Sequence, residues 1–394
     1  MGFPAALEIP EPILEIARAL EAAGFEAWCV GGTLRDQLLG HPHSDYDIAT
    51  SATPEQVQKL FPRTVGVGIK YGTVGVLDRR RQLHEVTTFR RDVATDGRHA
   101  VVAYGVALED DLARRDFTIN AIAYHPLRRE WRDPFGGAAD LAGRVVRAVG
   151  DPSQRFREDY LRILRAVRFA ARFGFTIDPP TWEAARAASA GLTQLSAERV
   201  RDEWFKSLRT ARSLEQLAML WRSVGAARAW IPELETGLTK LPVPSPPQDA
   251  RDPVLLTALL CREPAAILRR LKASNAEIDR AVALERGPEG PEAADQRSVR
   301  RWLAAVGSAA DDLSILWALG NGSEPPWSPA VKEIRNRRDP LTRADLAISG
   351  GDLQAIGLGG PRIGQTLERL LDRVLDEPSL NTRDTLLTLA KELG

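Results

Sequence analysis

Cysteine and histidine are scarce in this 394-residue chain, with two and five residues respectively. The two cysteines, Cys29 and Cys261, lie far apart in sequence, which excludes a disulfide framework and a cysteine-rich zinc site. The histidines end at His125, so the long C-terminal part carries no histidine-based metal hydrolase site. No run approaches the ~18 uninterrupted apolar residues of a membrane-crossing helix. The opening MGFPAALEIPEP has neither the basic nor the apolar segment of a secretory signal. These absences predict a cytoplasmic protein without membrane contact. A charge excess is also missing: 53 basic residues balance 53 acidic ones, so any basic surface for a nucleic acid has to be local. What is present, 44% hydrophobic and 27% charged residues, excludes disorder over the whole chain. At roughly 150 residues per domain, the length accommodates two or three domains.

The first 150 residues alternate between strand-like and helix-like runs. Helices are expected over 13–23, 33–39 and from Pro54. Strands are expected over 27–30, 46–49, 69–77, 83–89 and 122–125, around a mixed sheet. After Gly150 the strand signals vanish and helical periods run from 155–173 to 382–392. Proline-rich breaks fall at 242–248 and 324–329. The pattern divides the chain into an α/β head (1–150), a helical neck (151–212), a helical body (213–340) and a helical tail (341–394).

The chemistry concentrates in residues 27–50, AWCVGGTLRDQLLGHPHSDYDIAT. Asp45 and Asp47 are two apart, so on a strand their carboxylates share a face. Two hard oxygen ligands suit Mg²⁺, which takes one or two carboxylates and completes its shell with phosphate oxygens and water. A strand runs into Gly31-Gly32 and then into a helix. Glycines allow close approach to backbone N–H groups, and a helix N-terminus favours an anion. Arg35, one turn into that helix, adds a charged donor. Each feature alone reads as a tight turn or a solvated acidic pair; together they join a phosphate site to a metal site. Glu85, in the alternating LHEVTTF, is a candidate third carboxylate.

Residues 155–173, RFREDYLRILRAVRFAARF, read as one amphipathic helix. At about 100° per residue, Arg162, Arg165, Arg168 and Arg172 fall on one face with Glu158, and Asp159 sits at its edge. The bland reading is a solvated charged face. The alternative is base recognition by Asp159 and Arg162, which are helical neighbours. A carboxylate accepts from an exocyclic amino group while an arginine donates to the adjoining ring nitrogen. Such a pair takes cytosine and adenine and rejects uracil and guanine, whose donor order is reversed.

Beyond these strings come Arg114-Arg115-Asp116-Phe117-Thr118-Ile119-Asn120-Ala121, then Asp133-Pro134-Phe135-Gly136-Gly137 with Asp140-Leu141, and Leu195-Ser196-x-Glu198-Arg199. With Gly-Gly-x-x-Arg-Asp, the Asp45–Asp47 pair and Glu158-Asp159-x-x-Arg162-x-x-Arg165, this order resembles the bacterial class II tRNA nucleotidyltransferase (CCA-adding) and poly(A) polymerase family. The tail strings IGLGGPRIG and NTRDTLL resemble CCA-adding members. The resemblance implies a DNA-polymerase-β-like nucleotidyltransferase head followed by an all-α body and tail. It implies Mg²⁺-dependent, template-independent addition of CCA from CTP and ATP to a tRNA 3′ end, with pyrophosphate released and no DNA partner. It assigns base reading to Asp159 and Arg162, and nucleotide contacts to Gly32, Arg35, Arg115, Arg165 and Arg168. Glu158 is read as holding either Arg162 or the helix in place. Asp116 is left open between the ribose and a neighbouring arginine. Ser196 with Glu198-Arg199 reads as a helix cap. In this family a loop over 90–109 helps the switch from CTP to ATP. Thr95-Asp96-Gly97-Arg98-His99 looks full length, although Ala100-Val101 replaces a frequent Pro-Asp. A CC-only or A-only adding enzyme or a poly(A) polymerase fits the same motifs, and an inactive RNA-binding homologue is the rival of another class.

Overall fold

A computed structural model describes residues 2–41, 45–95, 100–236, 246–247 and 251–393, and the chain forms two compact units, 1–235 and 236–394. Residues 96–99 of the expected loop, and most of the proline-rich stretch 242–248, lie outside the described residues.

In the first unit the elements follow the expected alternation. They begin α1 (Glu11–Ala22), β1 (Ala27–Val30), α2 (Gly32–Leu38), β2 (Asp47–Thr50) and α3 (Pro54–Leu60). Then come β3 (Thr64–Gly68), β4 (Thr73–Leu77), β5 (Leu83–Thr88), β6 (Arg90–Thr95), β7 (Ala100–Tyr104) and α4 (Leu108–Ala113), followed by β8 (Ala123–His125) and β9 (Glu130–Arg132). Seven strands make one mixed sheet in the order β3-β4-β5-β2-β1-β8-β9, with β2 and β5 parallel and the other neighbours antiparallel. The interior strand β1, next to the central β2, is buried on both faces. Ala27 and Cys29 join one core with Ile13, Leu20, Ile48, Val74 and Val86. Trp28 and Val30 join another with Ala49, Phe89 and Leu112. Each such large side chain removed from water contributes about 1.5–3 kcal/mol. Thr53 starts α3 with a capping box to Gln56, Pro54 filling the first turn.

The expected strand over 69–77 is a 3-10 turn, Ile69–Tyr71, followed by β4, because Gly72 sits at φ +83° and turns the chain. The preceding β3, TVGVG, is glycine-interrupted and escapes the alternation test. Segment 90–104 contains two antiparallel strands, β6 and β7, where a loop is expected.

Further on lie α5 (Gly137–Gly143), β10 (Val145–Val146), α6 (Pro152–Glu158), α7 (Leu161–Phe173), β11 (Thr176–Ile177), α8 (Pro179–Ala187), α9 (Ala197–Thr210), α10 (Leu214–Ser223) and α11 (Ala226–Trp230). The single helix expected over 155–173 is therefore two. Asp159 is extended (φ −158°, ψ 105°), and its side chain accepts the Leu161 N–H at 3.0 Å. Helical periodicity persists on both sides of this break, so the pattern passes through it. Tyr160, at the break, packs so closely on Gly191 that a Cβ there would lie 2.1 Å from its ring.

The second unit is helical over its described residues: α12 (Pro253–Leu260), α13 (Pro264–Arg270), α14 (Asn275–Arg286), α15 (Gln296–Val306), α16 (Ala310–Asn321), α17 (Ser328–Arg337), α18 (Gly350–Ala355), α19 (Pro361–Asp376) and α20 (Arg383–Leu393). Residues 296–321 include a window of mean hydropathy 1.3, apolar enough by composition to cross a membrane. That run is interrupted at Gly307 (φ +55°), and it holds Arg300, which is buried against Asp339 and donates to the Leu375 carbonyl at 2.7 Å. Gly359 and Gly360 form the turn between α18 and α19 with open space around them.

Candidate active site

The sheet places the carboxylates. Val30 pairs with Asp47 across β1 and β2, and Ile48 pairs with Val86 across the parallel β2 and β5. Asp47 and Glu85 therefore stand side by side on one face, while Ile48 and Val86 point into the core on the other. Asp45 precedes β2, and its carbonyl accepts the Thr33 hydroxyl from α2. Asp47 is solvent-exposed, but the protein crowds its carboxyl. That crowding first, and then Glu85 and Asp45, push it up to about 6, with Arg115 pulling the other way. Among the described residues, no three His, Cys, Asp or Glu side chains are gathered into a ready-made metal cage.

Gly31 ends β1 at φ +84°, ψ −144°, a conformation kept for glycine. A Cβ there would meet Arg115 Nη1 at 3.3 Å and Asp47 Oδ2 at 3.4 Å. The bare glycine thus lets an arginine and a carboxylate converge on one point. At Gly32 a Cβ would meet only the end of the Arg35 side chain, at 3.3 Å.

These residues line a cleft of about 530 Å³. Of the expected site residues it gathers Gly31, Gly32, Arg35, Asp47, Arg115, Asp116, Asp159, Arg162 and Arg165. Asp45, Glu85, Glu158 and Arg168 are not in its lining.

The arginine face of α7 is not a solvated stripe. Each arginine has an acidic partner from a different segment. Arg162 meets Glu158 at 2.6 Å, Arg165 meets Asp116 at 2.7 Å, Arg168 meets Glu203 at 2.7 Å, and Arg172 meets Asp36 at 2.9 Å. Arg168 is 8% exposed and Glu203 is 2% exposed, so this pair lies inside the protein. Burial alone would raise Asp116. Arg165 beside it, with the Asn120 amide and the Phe117 N–H, outweighs that and holds its carboxyl at about 2. Of the two roles left open for Asp116, the structure shows the neighbouring arginine.

Arg35 is 4% exposed. It bonds Asp36 and Asn120 and lies over the rings of Phe169 and Phe173 at 4.9 and 5.0 Å. Asp159 and Arg162 both reach the cleft, although Asp159 stands outside the helix. Asp159 Oδ2 accepts from Arg199 at 2.7 Å, and Arg162 also donates to the carbonyls of Arg155 and Arg114.

Comparison with known proteins adds a separate line of evidence. Residues 27–147 match the Poly A polymerase head domain, and residues 174–238 match the probable RNA and SrmB-binding site of polymerase A. A CCA-adding enzyme of Lactiplantibacillus plantarum is 36% identical over 99% of this chain and 97% of its own length. The chain belongs to the CCA-adding enzymes. Another member, from Streptococcus mutans, is 34% identical over 99% of this chain and 98% of its own. The crystal structure of the Bacillus stearothermophilus CCA-adding enzyme in complex with CTP superposes with a TM-score of 0.77. It is 31% identical and covers 97% of each chain. The expected nucleotidyltransferase head with a mixed sheet and a helical body is the fold of this family.

Three participants escaped the reading of the sequence. Arg199, expected to support a helix cap, lines the cleft on Asp159, and Ser196 starts α9 without a capping bond. Arg90 and Asn120 line the cleft as well. The only signal for Asn120 was its place in the string after Arg114-Arg115-Asp116. Cys29 is no candidate nucleophile, because burial pushes its thiol far above the usual range.

Proposed function

We propose that this CCA-adding enzyme extends the 3′ end of tRNA with CCA, drawing on CTP and ATP and releasing pyrophosphate. The observation that carries the reading is that one cleft is lined both by Gly31, Asp47 and Arg115, which converge, and by Asp159 and Arg162. That arrangement suits a nucleotide whose phosphates lie at one end and whose base lies at the other.

Magnesium is the ion we assign to Asp45 and Asp47, with Glu85 beside them. The residues fit it: the negative charges of Glu85 and Asp45 add to the burial that raises Asp47, and a cation relieves that repulsion. A shell completed by phosphate oxygens and water is the habit of Mg²⁺, and needs no ready-made protein cage. When bound, the ion supplies Lewis-acid stabilisation of the reacting phosphate and activation of the attacking hydroxyl.

The chain's own groups do the rest. Gly31 leaves room beside Asp47 and Arg115 for the triphosphate, and Arg115 offers positive charge to it. Asp159 accepts from the amino group of cytosine or adenine, and Arg162 donates to the ring nitrogen. Uracil and guanine present the opposite order, setting an acceptor against the carboxylate and a donor against the guanidinium. Glu158 holds Arg162 in place. Arg165 is anchored by Asp116, and Arg168 supports the same side through Glu203, which lies 4.0 Å from Arg165. We place the reaction in the cytoplasm, where tRNA and nucleoside triphosphates meet.

The test uses tRNA transcripts ending before CCA, after C and after CC, each with Mg²⁺ and CTP, ATP, both, UTP or GTP. Two C and one A added stepwise, then a stop, is the expected product. Addition that stops at CC, starts only at CC, or runs into long A tails names a different activity. Binding of tRNA with no incorporation favours the inactive homologue.

A further inference from the structure

Asn120 closes a short 3-10 turn, Thr118–Asn120, and is 6% exposed. Its side-chain amide faces two ways. Oδ1 accepts from Arg35 Nη1 at 2.5 Å, and Nδ2 donates to Asp116 Oδ1 at 2.9 Å. Its main-chain carbonyl accepts from Arg115 Nη1 at 3.3 Å. Asp116 then passes the connection to α7 through Arg165 at 2.7 Å. One residue therefore joins the arginine of α2, the arginine that converges with Asp47 at Gly31, and the helix that carries Arg162.

The chemistry of this position is narrow. It has a cation on one side and a carboxylate on the other, so it needs an acceptor and a donor about one amide apart. The amide cannot flip without turning its NH₂ onto a guanidinium and its oxygen onto a carboxylate. An aspartate of the same shape would still accept from Arg35 but would oppose Asp116, and in a buried site two carboxylates in contact cannot both ionise.

We propose that Asn120 is a positioning residue for nucleotide addition. It sets the spacing between the phosphate end and the base end of the cleft, so that one nucleotide engages both. It touches no substrate itself and acts through Arg35, Arg115 and Asp116. This inference rests on the nucleotidyl-transfer reading above.

The test compares Asn120→Ala and Asn120→Asp in the full-length protein. KM and kcat are measured for CTP on a transcript lacking CCA and for ATP on a transcript ending in CC. The tRNA Kd and the thermal midpoint are measured alongside. Asn120→Ala is expected to raise KM for both nucleotides about tenfold, the loss of roughly one hydrogen bond to a charged group, with the tRNA Kd within about twofold. Asn120→Asp, although isosteric, is expected to be worse, at about a hundredfold, because it adds repulsion to the lost bond. A residue that merely fills space gives the opposite ranking, with the isosteric Asn120→Asp the milder variant. That ranking, or a tRNA Kd that rises as much as KM, overturns the proposal. Wild-type protein that adds no nucleotide to any transcript instead overturns the reading on which the proposal rests.

Discussion

Replacing Gly31 by alanine tests the convergence at the centre of the site. The backbone there sits at φ +84°, ψ −144°. Holding a non-glycine residue in that region costs about 1–3 kcal/mol. The new methyl would also lie 3.3 Å from Arg115 Nη1 and 3.4 Å from Asp47 Oδ2, tight enough that the neighbours give by a few tenths of an ångström. For a folding unit of this size, the strain lowers Tm by about 2–4 °C per kcal/mol. Misplacing reacting groups by a fraction of an ångström lowers kcat/KM by about ten- to a hundredfold. Gly32→Ala is the internal control. Its methyl meets only the end of the flexible Arg35 side chain, at 3.3 Å, and its backbone is helical. Differential scanning fluorimetry and a primer-extension assay with CTP read both effects. Gly31→Ala is expected to lose stability and activity together, while Gly32→Ala keeps its Tm. If Gly31→Ala retains wild-type Tm and wild-type kcat/KM, the argument from backbone conformation and convergence is wrong.

Asp47→Asn should abolish incorporation while leaving tRNA binding intact, and gel-shift and extension assays separate the two. Because the folded-state carboxyl is raised to about 6, the ionised form weakens the metal-free fold. Without divalent ions, the variant's Tm should therefore rise above wild type as pH goes from about 4 to 6, with the gap fully open above 6 and absent in acid. A gap that opens in acid instead refutes the sign. Breaking the buried Arg168–Glu203 pair from one side, by Arg168→Met, should cost about 3–5 kcal/mol in urea denaturation, and the Glu203→Met double variant should recover much of it. A cost under about 1 kcal/mol, accompanied by weaker nucleotide binding, would return Arg168 to direct substrate contact. Asp159→Ala should let UTP compete with CTP about tenfold better, since a paired base contact is worth about 1–3 kcal/mol of discrimination. Unchanged selectivity in a mixed-nucleotide assay would remove Asp159 from base reading.

The local parts of this protein were decided by the sequence alone. The buried strand 27–30, the stop at Gly31-Gly32 and the run back to Asp45 and Asp47 depend on short-range patterning, and the structure forms β1 over the same four residues. Glu158 and Arg162 do meet, but across the break between α6 and α7, so their contact is set by how the two helices turn at Asp159 and not by a continuous helical period. The long-range parts were decided only by tertiary structure. The partners of Arg165, Arg168 and Arg172 are Asp116, Glu203 and Asp36, up to 136 residues away, and no local period encodes them. The break at Asp159 is invisible to a helical period that continues on both sides of it. Asn120 becomes a hub only when α2, α7 and the turn before β8 meet, because its bonds are made to elements that sequence order keeps apart. Periodicity and turn chemistry act over a few residues. Pairing of buried charges acts over a few ångströms, and which residues come that close is set by the packing of the whole unit.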